Sequence, residues 1–348
     1  MKKFSSMVLA TAILAGTSAF AAGIATLESV KGTPSMDAGD AAWSKAKSIS
    51  VTVDQMPYEP NPPYKGIKKS NVAIQSLYDD KNIYFKVQYD DPTLSTDRLP
   101  WVKQADGSWK QMKNPDQAKQ ENDFYEDKFG FWWNINTKGF DKKGCAIACH
   151  ITKDGMNNGL PDDSAGRKYT RNAGETIDMW HWKGVRTGLT YDKTHDQFVD
   201  NNTDVKANKG WGRKDDESTK GGYKNNINEA KTGPAFMNKD AKDNASGAIK
   251  DENKVPFVDT FKAGDKIPGP IVTDFDGSGA DIATKAVWKD GKWTLVFKRA
   301  LVTTHPKSAV QDVQFNDLKK PYFFGVAVFD NAQINHVYHD GAIELLFK

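Results

Sequence analysis

The chain has 348 residues, 27% of them charged and 38% hydrophobic, and its 48 Lys and Arg against 45 Asp and Glu leave a formal net charge of +3. That balance lacks the concentrated basic excess that nucleic-acid binding requires, so no nucleic-acid partner is expected. The length admits one large domain or two small ones.

The N-terminus reads MKKFSSMVLATAILAGTSAFA: Lys2 and Lys3 form a positive start, Met7 to Ala15 an apolar stretch, and Ala19-Phe20-Ala21 a small-residue cleavage site. Residues 1–21 are therefore expected to be a secretory signal peptide cut after Ala21, with residues 22–348 exported to a periplasm of the Gram-negative type. Losing Lys2 and Lys3 lowers the net charge from +3 to +1. No later stretch approaches the roughly 20 apolar residues that span a bilayer, so no membrane span is expected.

Short alternating segments follow at Ile49 to Val53, Val72 to Tyr78 and Ile83 to Tyr89, the last two separated by Asp79, Asp80 and Asn82, and these read as strands. A Pro-, Lys- and Asp-rich stretch from about Leu99 to Asp127 reads as a surface loop. Phe129 to Asn134 is the next strand. From about Thr190 to Lys254 the chain is rich in Asn, Lys, Asp and Gly, with few apolar residues beyond Trp211, Tyr223, Phe236 and Met237, and is expected to be an insertion. Strands resume at Ala286 to Trp288 and Trp293 to Lys298, joined by a hairpin signal at Lys289-Asp290-Gly291-Lys292, and continue at Phe323 to Phe329 and Ile343 to Phe347. Many short strands with no long segment of helical period predict an all-β antiparallel sandwich, immunoglobulin-like, forming a single domain with long loop insertions.

Between these strands lies Gly144-Cys145-Ala146-Ile147-Ala148-Cys149-His150, which holds the only two cysteines. This is the c-type haem signature with three residues instead of two between the cysteines. Each thiol adds to a haem vinyl group, and the histidine directly after the second cysteine is thereby held under the iron as an axial ligand. Small Ala146 and Ala148 let the turn absorb the extra residue. A disulfide is the ordinary fate of two cysteines in an exported protein, but it gives no reason for His150. Zinc is a further alternative, for which two thiolates and one imidazole lack an obvious fourth ligand. The expected cofactor is one covalent haem c, with Cys145 and Cys149 as thioether anchors and His150 as the proximal ligand.

An electron-transfer haem needs a second axial ligand, usually Met or His. In Asp178-Met179-Trp180-His181-Trp182 an extended backbone puts Met179 and His181 on one face and Trp180 and Trp182 on the other. Met237, inside the insertion, is a third candidate, followed by His336, His339 and Lys298. Trp180 and Trp182 can wall a haem or pack between sheets, and Arg186 and Arg299 can pair with propionates or form structural ion pairs.

Several stretches together resemble the haem-binding domain family shared by certain periplasmic c-type cytochromes and the haem subunits of ethylbenzene and dimethylsulfide dehydrogenases. They are Tyr89-Asp90-Asp91-Pro92-Thr93, Glu126-Asp127 leading into Trp132-Trp133-Asn134, Gly144 to His150, Asp178 to Lys183, Trp293 to Leu301 and Phe324 to Asn331. The resemblance covers most of the mature chain and implies a sandwich related to family 9 carbohydrate-binding modules, with haem at the loop end of the sheets. In the dehydrogenase subunits the haem is b-type and held by Met and Lys; this chain is a variant carrying Cys-Cys-His attachment. The expected function is a periplasmic monohaem cytochrome that carries electrons in a respiratory chain and is not itself an enzyme, its partners being periplasmic redox proteins. Alternatives are the haem subunit of a periplasmic molybdenum oxidoreductase, a haem enzyme or gas sensor with an open sixth position, and a carbohydrate-binding module, which leaves Cys149-His150 unexplained.

Overall fold

The computed structural model describes residues 24–57, 65–113, 122–148, 156–157, 160–161, 168–202, 212–240, 244 and 247–348. The leader, Cys149 and His150 lie outside the described residues. The main strands are β1 (Ala25–Lys31), β2 (Ile49–Val53), β3 (Ser70–Tyr78), β4 (Asn82–Asp90), β5 (Lys128–Asn134), β6 (Ile177–Lys183), β7 (Lys193–Val199), β8 (Ile282–Lys289), β9 (Lys292–Ala300), β10 (Tyr322–Phe329) and β11 (Ile343–Phe347).

Hydrogen bonding runs β1-β11-β10-β5-β6-β7-β8-β9-β4-β3, and β3 pairs back with β1, so the sandwich closes on itself as a barrel does. The first half of β3 pairs with β2 (Val53 opposite Ser70, Ile49 opposite Ile74), and its second half with β1 (Ser29 opposite Ser76). The ladders around this ring are antiparallel except those of β1, which runs parallel to both β3 and β11. One N-terminal strand thus covers two edges that would otherwise present unpaired backbone groups. At Asp290 and Gly291 both φ angles are positive (51° and 74°), the geometry of the tight turn that matches strand twist and joins β8 to β9.

Inward-facing aromatic residues fill the interior. The Phe131 ring centre lies 5.0 Å from Phe129, 5.3 Å from Phe297, 5.4 Å from Phe85 and 5.6 Å from Phe324. Trp180 and Trp182 also point into this core, so the pair packs between the sheets. Arg299, likewise fully buried, reaches Asp312 at 3.4 Å, Asp196 at 3.8 Å and Asp178 at 3.9 Å.

Two polar stretches carry more structure than their composition suggests. The segment after Leu99 is not wholly a surface loop: Trp101–Lys103 and Trp109–Gln111 form a hairpin that also pairs with Lys266–Ile267, and Trp101 is buried against Ile249, Ile267 and Ile271. Strand β7 lies inside the polar 190–254 stretch. Its first two inward residues are Thr194 and Asp196, the latter set against Arg299, and Phe198 follows only at its end, so no apolar alternation announces it.

Truncating Phe131 removes the ring at the centre of the aromatic cluster. Phe131→Ala is expected to cost about 3–5 kcal/mol, read as a fall in the urea midpoint with an unchanged slope.

Candidate functional site

Strand β6 is buried along its whole length, because its inner face packs in the core and its outer face is roofed by connecting segments. Met179 and His181 point outward, beside the outer residues of the neighbouring strands. Register sets Met179 opposite Trp132 and Trp132 opposite Gly325; the next row sets His181 opposite Gly130 and Gly130 opposite Ala327. The small residues of β5 and β10 leave room above the sheet. The result is a cavity of about 220 Å³ walled by Cys145, Met179, His181, Trp132, Phe329 and His336, with Arg98, Lys128, Lys168, Arg186, Arg213 and Tyr223 also lining it.

Cys145 reaches this cavity on a short 3-10 turn, Gly144–Ile147. Gly144 has φ +55° and lies so close to Gly341 that a side chain would strike its carbonyl oxygen. Gly325 makes the matching concession below: a Cβ there would stand 3.0 Å from the Cys145 nitrogen and 3.4 Å from its Sγ. The two glycines together allow the turn to lie flat on the sheet.

His181 is 3% exposed, and its tautomer is fixed by neighbours. Gln197 donates its amide N–H to Asp215, which turns the amide oxygen toward His181 Nδ1 at 2.9 Å. An amide oxygen only accepts, so Nδ1 carries the proton and Nε2 keeps its lone pair. Nε2 is buried and has no hydrogen-bond partner among the described residues. Burial, then the charges of Lys183, Arg213, Lys128 and Arg186, hold the ring's pKa far below the ordinary histidine range, so it is neutral. A buried neutral imidazole with an unused nitrogen and its other nitrogen anchored is the form in which histidine ligates a metal.

The cavity rim is cationic. Glu126, fully buried, accepts from the Arg186 guanidinium and from the backbone N–H groups of Val185 (2.7 Å) and Arg186 (2.9 Å). Arg98 lies 4.0 Å from the same carboxylate and 4.5 Å from the Tyr223 ring centre, while its Nε and Nη1 are buried without a hydrogen-bond partner among the described residues. Lys128 donates to the Gln333 carbonyl at 2.8 Å, and burial, reinforced by Arg186, drives its pKa well down. Unused arginine donors around a flat, glycine-floored cavity suit a planar group that carries carboxylates.

The residues singled out in the sequence divide cleanly. Cys145, Met179, His181, Arg186 and His336 line the cavity. His336 stacks on Phe329 at 4.4 Å, and its Nδ1 meets the Ile334 carbonyl at 2.8 Å. Met237 lies elsewhere, packed against the Trp101, Ile249, Ile267 and Ile271 cluster. His339 binds the Thr52 carbonyl, Lys298 lies over Tyr84, and Arg299 belongs to the core, so none of these three lines the cavity. The cavity lies on the outer face of the sheet, under connecting segments. Sequence reasoning gave no site role to Trp132, Lys128, Arg98 and Gln197; the alternation of β5 points Lys128, Gly130 and Trp132 outward together and is the one signal that could have found two of them.

The family model described as ethylbenzene dehydrogenase matches residues 40–341. No curated protein sequence matches the chain. Among solved structures it is similar to a family 9 carbohydrate-binding module from Caldicellulosiruptor kristjanssonii in complex with glucose, at 8% identity and a TM-score of 0.34, covering 93% of this chain and 95% of that one. The same module in complex with cellotriose matches at 9% identity and a TM-score of 0.32, covering 93% and 94%. At these values the likeness says nothing of what this chain binds.

The rim predicts a pH signature. Burial pushes the Glu126 carboxyl up, but Arg186, Arg98 and the donated hydrogen bonds outweigh it and hold the pKa below the ordinary glutamate range. The stability this confers is fully present above the unfolded-state pKa and is lost as pH falls through the lower folded value. Arg186→Met leaves Glu126 buried without its closest partner, and a loss of about 3–5 kcal/mol at pH 7 is expected in urea unfolding. The gap between variant and wild type should narrow in acid, where Glu126 takes up a proton.

Proposed function

Because the chain belongs to the ethylbenzene dehydrogenase family, we propose that it is an exported haem protein that transfers electrons, in which Cys145 and Cys149 would hold the haem through thioethers and His150 and His181 would ligate its iron. The observation that carries this reading is the Nε2 of His181, unpartnered among the described residues, in the cavity that Cys145 walls. Bound haem supplies a one-electron couple between ferric and ferrous iron. The chain's own residues do the rest. Gln197, oriented by Asp215, holds the His181 ring with its lone pair available. Trp132, Phe329 and Met179 make the walls apolar, and Arg98, Arg186 and Arg213 present donors for propionates. Met179, next along the same face of β6, is the alternative ligand and would raise the potential relative to histidine.

A second reading is favoured by Lys128. It is a buried amine with a depressed pKa that shares the cavity with Met179, and Met and Lys are the ligands that the resemblance gives for the non-covalent haem of the dehydrogenase subunits. Under that reading the chain is the haem-bearing subunit of a periplasmic molybdenum oxidoreductase, and copurification of a catalytic chain would support it.

Intact mass and a pyridine haemochrome spectrum of the exported protein separate the two: covalent haem adds one haem mass and resists acid-acetone extraction, whereas a haem held by Met179 and Lys128 is extracted. A colourless protein sinks both. With covalent haem in place, His181→Ala should convert the low-spin spectrum to high-spin and allow carbon monoxide to bind the reduced protein. Met179→Leu should leave the spectrum unchanged.

A further inference from the structure

A second constellation lies apart from the cavity, where three strand ends converge. Asp91 follows β4, Asp127 precedes β5 and Asp330 follows β10, and all three are buried. One oxygen of each lies within 4.8 Å of the others. Their orientations are held from behind: Thr93 N–H donates to Asp91 at 3.1 Å, Ser95 N–H to Asp127 at 2.8 Å, Asn331 N–H to Asp127 at 2.9 Å and Ile67 N–H to Asp330 at 3.1 Å.

Carboxylates grouped in this way do not by themselves make a site. Two further features point to a ligand. The Tyr89 hydroxyl is wholly buried, lies in the field of all three carboxylates and has no hydrogen-bond partner among the described residues. Asp91 Oδ2 is likewise buried and unpartnered among the described residues. The strongest charges acting on Asp91 are those of Asp127 and Asp330, so the group repels itself. The other buried carboxylate group, Asp196, Asp216 and Asp312, has Arg299 within 3.4 Å of Asp312 as a built-in cation.

We propose that Asp91, Asp127 and Asp330, with the Tyr89 hydroxyl, hold a divalent cation of the hard, oxygen-preferring class, calcium being the best match, which ties the ends of β4, β5 and β10 together. All the donors are oxygens, and oxygens at calcium distance of about 2.3–2.6 Å from one ion lie within roughly 5 Å of each other, as those of the three carboxylates do. Thr93, Ser95 and Asp330 also line an opening to the surface of about 390 Å³, through which an ion and its remaining waters can enter. The ion would also stiffen the cavity, since Lys128 and Phe329, which line it, are the immediate neighbours of Asp127 and Asp330.

Terbium and calcium test this on the full-length exported protein stripped with EDTA. The Trp293 indole donates to Asp127 at 3.2 Å and is placed to sensitise terbium emission. The wild type should show indole-sensitised emission that calcium displaces, take up calcium in equilibrium dialysis and melt at a higher temperature with calcium than with EDTA. Asp91→Asn and Asp330→Asn should each lose one equivalent of calcium, and Asp216→Asn none. Trp293→Phe should keep calcium uptake while emission falls at least threefold, and this arm decides the matter if the aspartate variants fail to fold. Absence of calcium uptake by the wild type, uptake undiminished in folded Asp91→Asn, or loss of the equivalent in Asp216→Asn would overturn the proposal.

Discussion

Strand β6 is enclosed on both faces, and this one constraint organises the molecule. Seven consecutive residues, Ile177–Lys183, are buried, yet a strand sends successive side chains to opposite sides. The alternation therefore sorts them into two different interiors. Asp178, Trp180 and Trp182 enter the aromatic core, while Met179 and His181 enter the cavity under the loops. A one-residue slip in the pairing of β6 with β5 would exchange the two sets, burying an imidazole in the core and exposing indoles to the cavity. The core thus fixes the cavity's chemistry through register.

Each interior also contains charges, handled differently in each. In the core, Arg299 is shared among carboxylates from β6, β7 and the segment after β9, which joins distant parts of the sheet at the cost of desolvating every member. At the cavity rim Glu126 is saturated by Arg186 and two backbone N–H groups, whereas Arg98 retains unused donors. The excess is positive where an acidic group would sit. The relay from Asp215 through Gln197 to His181 follows the same economy, a polar chain whose last member is left with a lone pair.

Most of the sandwich was legible as alternation. Segments such as Ile83 to Tyr89 and Ile343 to Phe347 carry it plainly and coincide with strands β4 and β11. Strand β7 was hidden because its first five residues, Lys193 to Gln197, are polar on both faces and its apolar residues, Phe198 and Val199, come only at its end. Trp101 and Met237 lay in stretches whose composition reads as loop, although they meet in one apolar cluster contributed by segments more than a hundred residues apart. The parallel ladders of β1 were illegible for another reason: a strand's own pattern does not reveal which edges it will close.

Local chemistry was set by the sequence itself: the Cys145, Cys149 and His150 motif, and the placing of Met179 and His181 on one face of an extended segment, since both depend only on neighbours in the chain. Tertiary structure alone decided that Cys145 and His181 share a cavity, that Met237 does not, and that Trp180 and Trp182 belong to the core. It also decided which imidazole nitrogen is left without a partner, because that follows from Gln197 on β7 and Asp215 beyond it. Side-chain direction is a property of the backbone, but what a side chain meets depends on pairings between strands far apart in sequence, and those are settled only when the whole sheet closes.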